Sequence, residues 1–311
     1  MANNPLGLAD MIADALNLSG ADVTDLVQAV PFLNLLPIET SSNGETHLYT
    51  KETTAPVVGF RAPNAGREED SSVDTLVTVT LKLLDFSWWV DKGIADIWRR
   101  GAADLIAREG MRHIKAALVA FEKQVIYGVT SPGDAAGFVG MAAATTVDAL
   151  ADAMTINAAG TTASTASSCW GVRIGPNDLT AVAHGDGIQL GETVTQRMVS
   201  TGTLGFPAYY TPGCTWLGMQ VGSIYSMGRV VNLTEDTGKG LTDDLIAQLL
   251  EQFPVGKEPT HLLMNRRSRR QLQDSRTATN STGAPAPFPQ EAFGVPIVTV
   301  ETITSTEALM T

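Results

Sequence analysis

The side chains able to do chemistry are few and scattered. There are four histidines, His47, His113, His184 and His261, and no two fall at metal-ligand spacing. No HExxH occurs. The two cysteines, Cys169 and Cys214, lie far apart with no CxxC, so neither a disulfide scaffold nor a cysteine zinc site is expected. There is no G-x-S-x-G elbow and no phosphate-cradling G-x-x-x-x-G-K-[ST]. Gly185-Asp-Gly187-Ile-Gln-Leu-Gly191 approaches a dinucleotide fingerprint, but its third glycine is one position late. Its flanks read as β on both sides, so it reads as a loop between strands. Two charge clusters remain. Glu68, Glu69 and Asp70, beside Arg67, form an acidic group among turn residues. Arg266, Arg267, Arg269 and Arg270, followed by Arg276, form the one concentrated basic run. On a helix these arginines cannot all share one face. They read as a solvated helix or an intersubunit salt-bridge site rather than a phosphate site. No catalytic, cofactor-binding or metal residue emerges, and the expectation is a protein that is not an enzyme and needs no cofactor.

Composition narrows the classes further. The chain has 311 residues, 44% hydrophobic and 17% charged, so it can bury a core and is not wholesale disordered. Its net charge is −12, from 33 acids and 21 bases, a poor coat for DNA or an anionic membrane. No apolar run reaches the roughly 18 residues of a membrane-spanning helix. The start, MANNPLGLADMIADALN, lacks the basic region of a signal peptide. Folding in a cytoplasm is the simplest expectation.

The elements that would position these residues are unusually extended. Residues 6–18 and 22–29 carry apolar positions at helical spacing, as at Leu8, Met11, Ile12, Ala15 and Leu16. ETHLYTKETTAPVVGFRAP reads as a strand, NAGREEDSS as a polar tip, and VDTLVTVTLKLLDFSWWV as an alternating strand. Together they predict a long hairpin, which is marginally stable alone in water. From Lys92 to Tyr127 no proline occurs and apolar residues recur three and four apart, which predicts one helix of about 50 Å, weakened at Gly101 and Gly110. VDALADAM reads as a short helix, and residues 158–168 as a small, polar, flexible segment. Short strands follow in CWGVRIG, LTAVAH, TLGFPAYYT and TWLGMQVGSIYSMGRVVNL. LTDDLIAQLLEQFP reads as an amphipathic helix capped by Thr242, HLLMN as a buried strand, RRSRRQLQDS as a helix and FGVPIVTVETI as a last strand. Each extended part needs another surface to bury it, which is the mark of a subunit in a larger assembly.

Five local patterns, in order, resemble the Hong Kong 97-type major capsid proteins of tailed bacteriophages. FEKQVIYGVTSPGDAAGFVGM resembles the end of the family's spine helix and the turn after it. SSCWGVRIGPNDLTAVAHGDG resembles the strand pair opening the axial domain, and TWLGMQVGSIYSMGRVVNLTED the strands that return to the peripheral domain. HLLMNRRSRRQLQDSR resembles the family's M-N-R helix start, and FGVPIVTVETITSTEA its final strand. The resemblance implies an α+β fold with an N-arm over residues 1–44 and an extended E-loop over 45–85. It further implies a peripheral domain over 86–164 with a spine helix at 92–127, and an axial domain over 165–311 whose loops surround the symmetry axes. Strands near 218–233 would return to the peripheral domain.

The implied function is self-assembly into pentamers and hexamers of an icosahedral shell around double-stranded DNA, bound without sequence specificity. The implied location is the virion capsid, assembled in the host cytoplasm. The E-loop of one subunit would lie over the peripheral domain of its neighbour, and the N-arm would clamp an adjacent subunit. Arg67, Glu68, Glu69, Asp70, Arg266, Arg267, Arg269 and Arg270 are the candidate intersubunit contacts. Some relatives carry a long N-terminal scaffolding segment removed by a protease. With only about 44 residues before the E-loop, a separate scaffolding protein, or none, and no cleavage are expected here. Portal and decoration proteins are further partners the resemblance allows, and no membrane partner is expected. Lys51 has no identifiable cross-linking partner, so no covalent cross-link is expected. Three alternatives remain: an encapsulin-type nanocompartment shell with a cargo-peptide site, a soluble α/β enzyme or binding protein with an unrecognised site, and a nucleic-acid-binding module built on Arg266–Arg276.

Overall fold

The computed structural model describes residues 30–67, 70–201, 204–281 and 283–311. The two helices expected within 6–29 lie outside the described residues, as do Glu68 and Glu69. In chain order the elements are β1 (Ile38–Thr40), β2 (Thr46–Thr54), β3 (Val73–Thr80), β4 (Lys82–Asp85), β5 (Trp88–Asp91), α1 (Lys92–Asp96), α2 (Ala102–Tyr127), β6 (Thr155–Asn157), β7 (Ser167–Val172) and β8 (Leu179–Leu190). They continue with β9 (Val194–Thr201), β10 (Leu204–Thr211), β11 (Gly213–Val221), β12 (Met227–Leu233), α3 (Asp243–Glu251), β13 (His261–Met264), α4 (Arg266–Ala278), β14 (Glu291–Ala292) and β15 (Val295–Thr299).

Six strands form the central mixed sheet in the order β14-β15-β13-β7-β12-β6. β7 and β12 are buried along their whole length, and SSCWGV and MGRVVNL are accordingly near-continuous small or apolar runs rather than alternating ones. α3 packs on this sheet through Ile246 and Leu249, and α4 through Leu272. α3 starts where Thr242 accepts the amide of Leu245, with Asp243 and Asp244 in the first turn, as its sequence leads one to expect. The C-terminal half of α2 joins the same core with Phe121, Val125, Ile126 and Tyr127.

A second body is built from long strands. β1-β8-β11-β4 form one sheet and β5-β10-β9 another. The chain passes from one to the other at Phe86-Ser87, at Gly191–Thr193 and again at Pro212. Proline has no N–H to offer a ladder, so the ribbon bends there. Ser87 Oγ accepts the amide of Gly213 at 3.0 Å across the bend. A smaller apolar cluster of Phe86, Trp88, Val90, Ala95, Trp98 and Leu105 packs this body against α1 and the first turns of α2.

Several expectations are corrected. The helix expected over 92–127 is two helices. α1 ends after Asp96, and α2 begins at Ala102 behind Gly101, whose φ of 91° no helix contains. At 26 residues α2 spans about 39 Å rather than 50. VDALADAM is a series of turns, because the Asp152 carboxylate accepts the Ala149 amide at 2.8 Å and satisfies it outside any helix. The glycine-spaced stretch 185–191 is not a loop. It lies largely within β8, where Gly187 takes a φ of 61° beside an irregularity in the pairing with β11. β9 was not expected, since VTQRMVST has no clean apolar alternation; it is held by its pairing with β10.

Residue 165 is not a boundary between sheets. β6 precedes it yet pairs with β12, while β8 and β11, beyond it, pair with β1 and β4. Of the strands near 218–233, β11 joins the second body and β12 the central sheet.

Candidate assembly surfaces

Among the described residues, the β2–β3 hairpin forms a long stretch left uncovered by its own fold. Only its root is fastened. His47 Nε2 meets Gln220 Oε1 at 2.9 Å, and the Tyr49 hydroxyl donates to the Val221 carbonyl at 2.8 Å. The Pro176 carbonyl accepts from Gln220 Nε2 at 3.0 Å, which turns Gln220 Oε1 toward the imidazole and makes Nε2 the donor. Beyond Thr50 every described residue out to Leu76 is exposed apart from Lys51. Phe60 is as exposed as in an extended chain and Val58 is 84% exposed. Arg67 and Asp70 stand exposed on this tip, and Asp70 accepts the amide of Ser71 at 2.9 Å.

Alongside α2 runs an apolar groove of about 500 Å³. Trp88, Ile106, Gly110, Met111, Ile114 and Leu190 line it. Gly110 is required there: a Cβ would lie 2.6 Å from the Trp88 ring. Trp88 itself is buried, and its indole N–H has no partner among the described residues. Arg108 stacks on Trp98 and Arg112 pairs with Glu109 at 2.8 Å, so cations stand along the same helix.

The basic run has a different role from the one its composition suggests. Arg266 pairs with Glu301. Arg267 donates to the Leu233 carbonyl at 2.9 Å, and burial pulls its pKa down. Arg269 donates to Pro289 O at 2.7 Å and Thr299 Oγ1 at 2.9 Å, and stacks on Phe288. Arg270 pairs with Glu235 at 2.9 Å, and Arg276 grips both oxygens of Asp243 at 2.7 Å. Each guanidinium thus ties α4 to a loop, a strand end or α3. The helix is not simply solvated, and no phosphate-sized basic face remains among these five. Arg266 and Arg270 keep 79% and 58% of their side chains exposed and are the two still available to a neighbour.

The residue reading assigned no role to three buried polar centres. In the first, Glu307 accepts from the Tyr127 hydroxyl at 2.7 Å, from Ser168 Oγ at 2.5 Å and from Arg229 Nη2 at 3.0 Å, while Arg229 stacks on Trp170. Burial, then the Glu307 charge, pushes the Tyr127 hydroxyl well above its ordinary pKa. In the second, Asn265 caps α4 by accepting the Ser268 amide, and its Nδ2 reaches Ser167 Oγ and Ser305 Oγ at 2.8 and 2.9 Å. In the third, Glu122 is fully buried on α2; it accepts the amides of Phe32 and Leu33 at 3.0 and 3.3 Å and the Thr302 hydroxyl at 2.8 Å. Burial raises its pKa, against the pull of those three donors. Asn265 and Glu307 do sit in the M-N-R and E-A patterns. Glu122 has only the faint signal of an acid on the apolar face of a helix.

None of these centres lines the groove along α2. Among the described residues no group of three His, Cys, Asp or Glu is placed to hold a metal ion, and no helix is long and apolar enough to cross a membrane. A rigid mixed core carrying an exposed hairpin and an uncovered groove defines a building block of an assembly.

The comparisons agree. Over its whole length the chain superposes on a chain of bacteriophage epsilon15 with a TM-score of 0.68 at 20% identity, covering 100% of this chain and 98% of that one. A chain of the bacteriophage JBD30 capsid decorated with minor capsid protein trimers gives a TM-score of 0.52 at 11% identity, covering 96% and 100%. No curated protein matches by sequence. The family model described as major capsid protein GP7 matches residues 19–311, and the chain belongs to that family. It is a structural protein of the Hong Kong 97-type fold, a self-assembling shell subunit of the bacteriophage virion capsid, and not an enzyme. The nanocompartment alternative is the weaker reading, since the matching family is one of major capsid proteins.

Proposed function

We propose that the subunit assembles as pentamers and hexamers of an icosahedral shell that encloses double-stranded DNA. The β2–β3 hairpin acts as the E-loop, lying over the α2 side of a neighbouring subunit. Residues before the hairpin act as the N-arm and clamp an adjacent copy. The body around α2 and the long strands serves as the peripheral domain, and the central sheet with α3 and α4 as the axial domain. The observation that carries this reading is the hairpin itself, a two-stranded ribbon whose outer apolar residues Val57, Val58 and Phe60 are buried by none of the described residues. Such a ribbon is marginal in water, and a neighbour's groove supplies the missing surface. Arg67 to Asp70 give the tip charges that can meet cations along α2.

A net charge of −12 keeps the container from gripping its cargo, so counterions neutralise the DNA. Assembly takes place in the host cytoplasm, with a separate scaffolding protein or none, and with portal and decoration proteins as the further partners such a shell allows. The test is deletion of Arg67 to Asp70. The expected result is a chain with an unchanged circular dichroism spectrum that fails to give closed particles in light scattering and negative-stain images. Wild-type yield of closed particles from the deletion refutes the E-loop role.

A further inference from the structure

The groove along α2 lacks something that its own walls do not supply. Met111 and Leu190, on opposite walls, are each 56% exposed. The buried Trp88 indole N–H has no partner among the described residues. Buried donors are ordinarily paired, so the missing piece is an apolar segment that also carries an acceptor. On α2 the lining side chains run from Ala103 to Ile114, at steps of three and four that keep them on one side of the helix. That stretch is about 17 Å long.

The chain itself contains a segment of that description. Residues 6–18 place Leu8, Met11, Ile12, Ala15 and Leu16 at helical spacing, with Asp10 and Asp14 one turn apart on the other side. As a helix this segment would measure about 18 Å. The carbonyls of its last turn would have no partner within it, which offers Trp88 an acceptor. The chain also enters the fold on the right element. Glu122 of α2 accepts the amides of Phe32 and Leu33 at 3.0 and 3.3 Å. From Glu122 back to Ile114 is about 12 Å along the helix. Residues 19–31 can reach about 40 Å, so residues 6–18 can return along α2 to the groove of their own chain. The charges match as well. The charged side chains of residues 1–29 are Asp10, Asp14, Asp22 and Asp25, with no base among them. Residues 97–115 hold Arg99, Arg100, Arg108, Arg112 and Lys115 against Asp104 and Glu109.

We propose that in the unassembled chain residues 6–18 fold as a helix into the α2 groove of their own subunit, apolar side inward, and that a neighbour's hairpin has to displace them to lie there. The docking follows from the free chain alone; the displacement rests on the reading of the chain as a shell subunit. The same chain is the occupant because a short tether presents the segment at an effective concentration of about millimolar. The contact is autoinhibitory. It closes the groove until a neighbour arrives, and the displaced segment is then released to clamp an adjacent copy.

The test is disulfide trapping in the full-length chain. Cys214→Ser removes the more accessible thiol and leaves the buried Cys169 in place. Leu16→Cys is then combined with Met111→Cys, and the dilute subunit is oxidised. The expected product is a disulfide within one chain, joining positions 16 and 111 by peptide mass mapping. Its yield should be about tenfold that obtained when Asp14→Cys, on the other side of the segment, replaces Leu16→Cys. Equal yields from the two positions, or no disulfide, overturn the docking. A disulfide-linked dimer in place of the monomer overturns the own-chain assignment. In the otherwise native chain Ile12→Asp should weaken the contact and raise the initial rate of particle formation in light scattering severalfold; a wild-type rate overturns the displacement. If the trapped monomer forms but the native chain gives no particles under any condition, the shell reading falls and the docking stands.

Discussion

Replacing Glu307 with alanine should damage the subunit far more than its place near the end of the sequence suggests. Its carboxylate and the Arg229 guanidinium keep only 6% and 9% of their side-chain exposure. Removing the acid leaves a cation against Trp170 with no counter-charge, and leaves the Tyr127 and Ser168 hydroxyls without their acceptor. Breaking a buried pair in this way costs about 3–5 kcal/mol. For a chain of this size that is a drop of about 5–8 °C in melting temperature. The exposed pair Arg270–Glu235, at 58% and 63%, is the internal control, and Glu235→Ala should cost no more than about 1 kcal/mol. The assay is guanidinium unfolding of the dissociated subunit followed by circular dichroism, with stability read from the midpoint at constant slope. The double variant Arg229→Met with Glu307→Leu should recover at least about 2 kcal/mol of the single variant's loss, because no charge is then stranded. If Glu307→Ala costs no more than Glu235→Ala, or if the double variant is worse than the single, the argument from an uncompensated buried charge is wrong.

Two further predictions concern α2. Because burial raises the Glu122 pKa above its unfolded value, the ionised carboxylate carries a stability cost that is present above the folded pKa and disappears as pH falls toward 4.5. Glu122→Gln keeps an acceptor for Phe32 and Leu33 and places an amide donor by Thr302. It should match or exceed wild type at pH 7.5, by an advantage that shrinks as pH is lowered to 5; unfolding midpoints at both values check this, and a pH-independent difference speaks against it. Gly110→Ala sets two known effects against each other. Helix propensity gains about 1 kcal/mol, but a Cβ 2.6 Å from the Trp88 ring overpacks the site at a cost of about 1–3 kcal/mol. The expected result is a lower melting temperature, and a rise would show that Trp88 moves aside freely.

Much of the architecture is legible in the residues because local rules decided it. The Thr242 cap, the amphipathic α3, the mostly small or apolar β7 and β12 and the alternating β3 all follow from spacing and side-chain type. What was not legible depends on distant partners. The break at Ile97–Gly101 arises where the first turns of α2 meet Trp88 and Trp98, and a glycine in a helical pattern does not say which way it will resolve. The arginines of α4 read as a surface cluster because their partners, Glu301, Leu233, Pro289 and Glu235, lie 20 to 35 residues away, out of sight of any helical wheel. β9 is polar and is a strand only because β10 lies beside it. The exposed position of Arg67 and Asp70 is legible in turn composition alone. The groove along α2 is not, since its wall combines Trp88, α2 and Leu190, which only the fold brings together.

The clamp at Glu307 also sets an order of events during synthesis. Tyr127 and Glu307 are separated by 180 residues. At about 5–20 residues per second, the ribosome delivers the acid roughly 10–35 s after the tyrosine it will bind. Until then the last turn of α2, the Arg229 guanidinium and the Ser168 hydroxyl wait without their common acceptor, and β13 waits for its parallel neighbour β15. A nascent chain can therefore make its local hairpins and helices early, but it cannot lock the central sheet to α2 through this clamp until Glu307 has emerged.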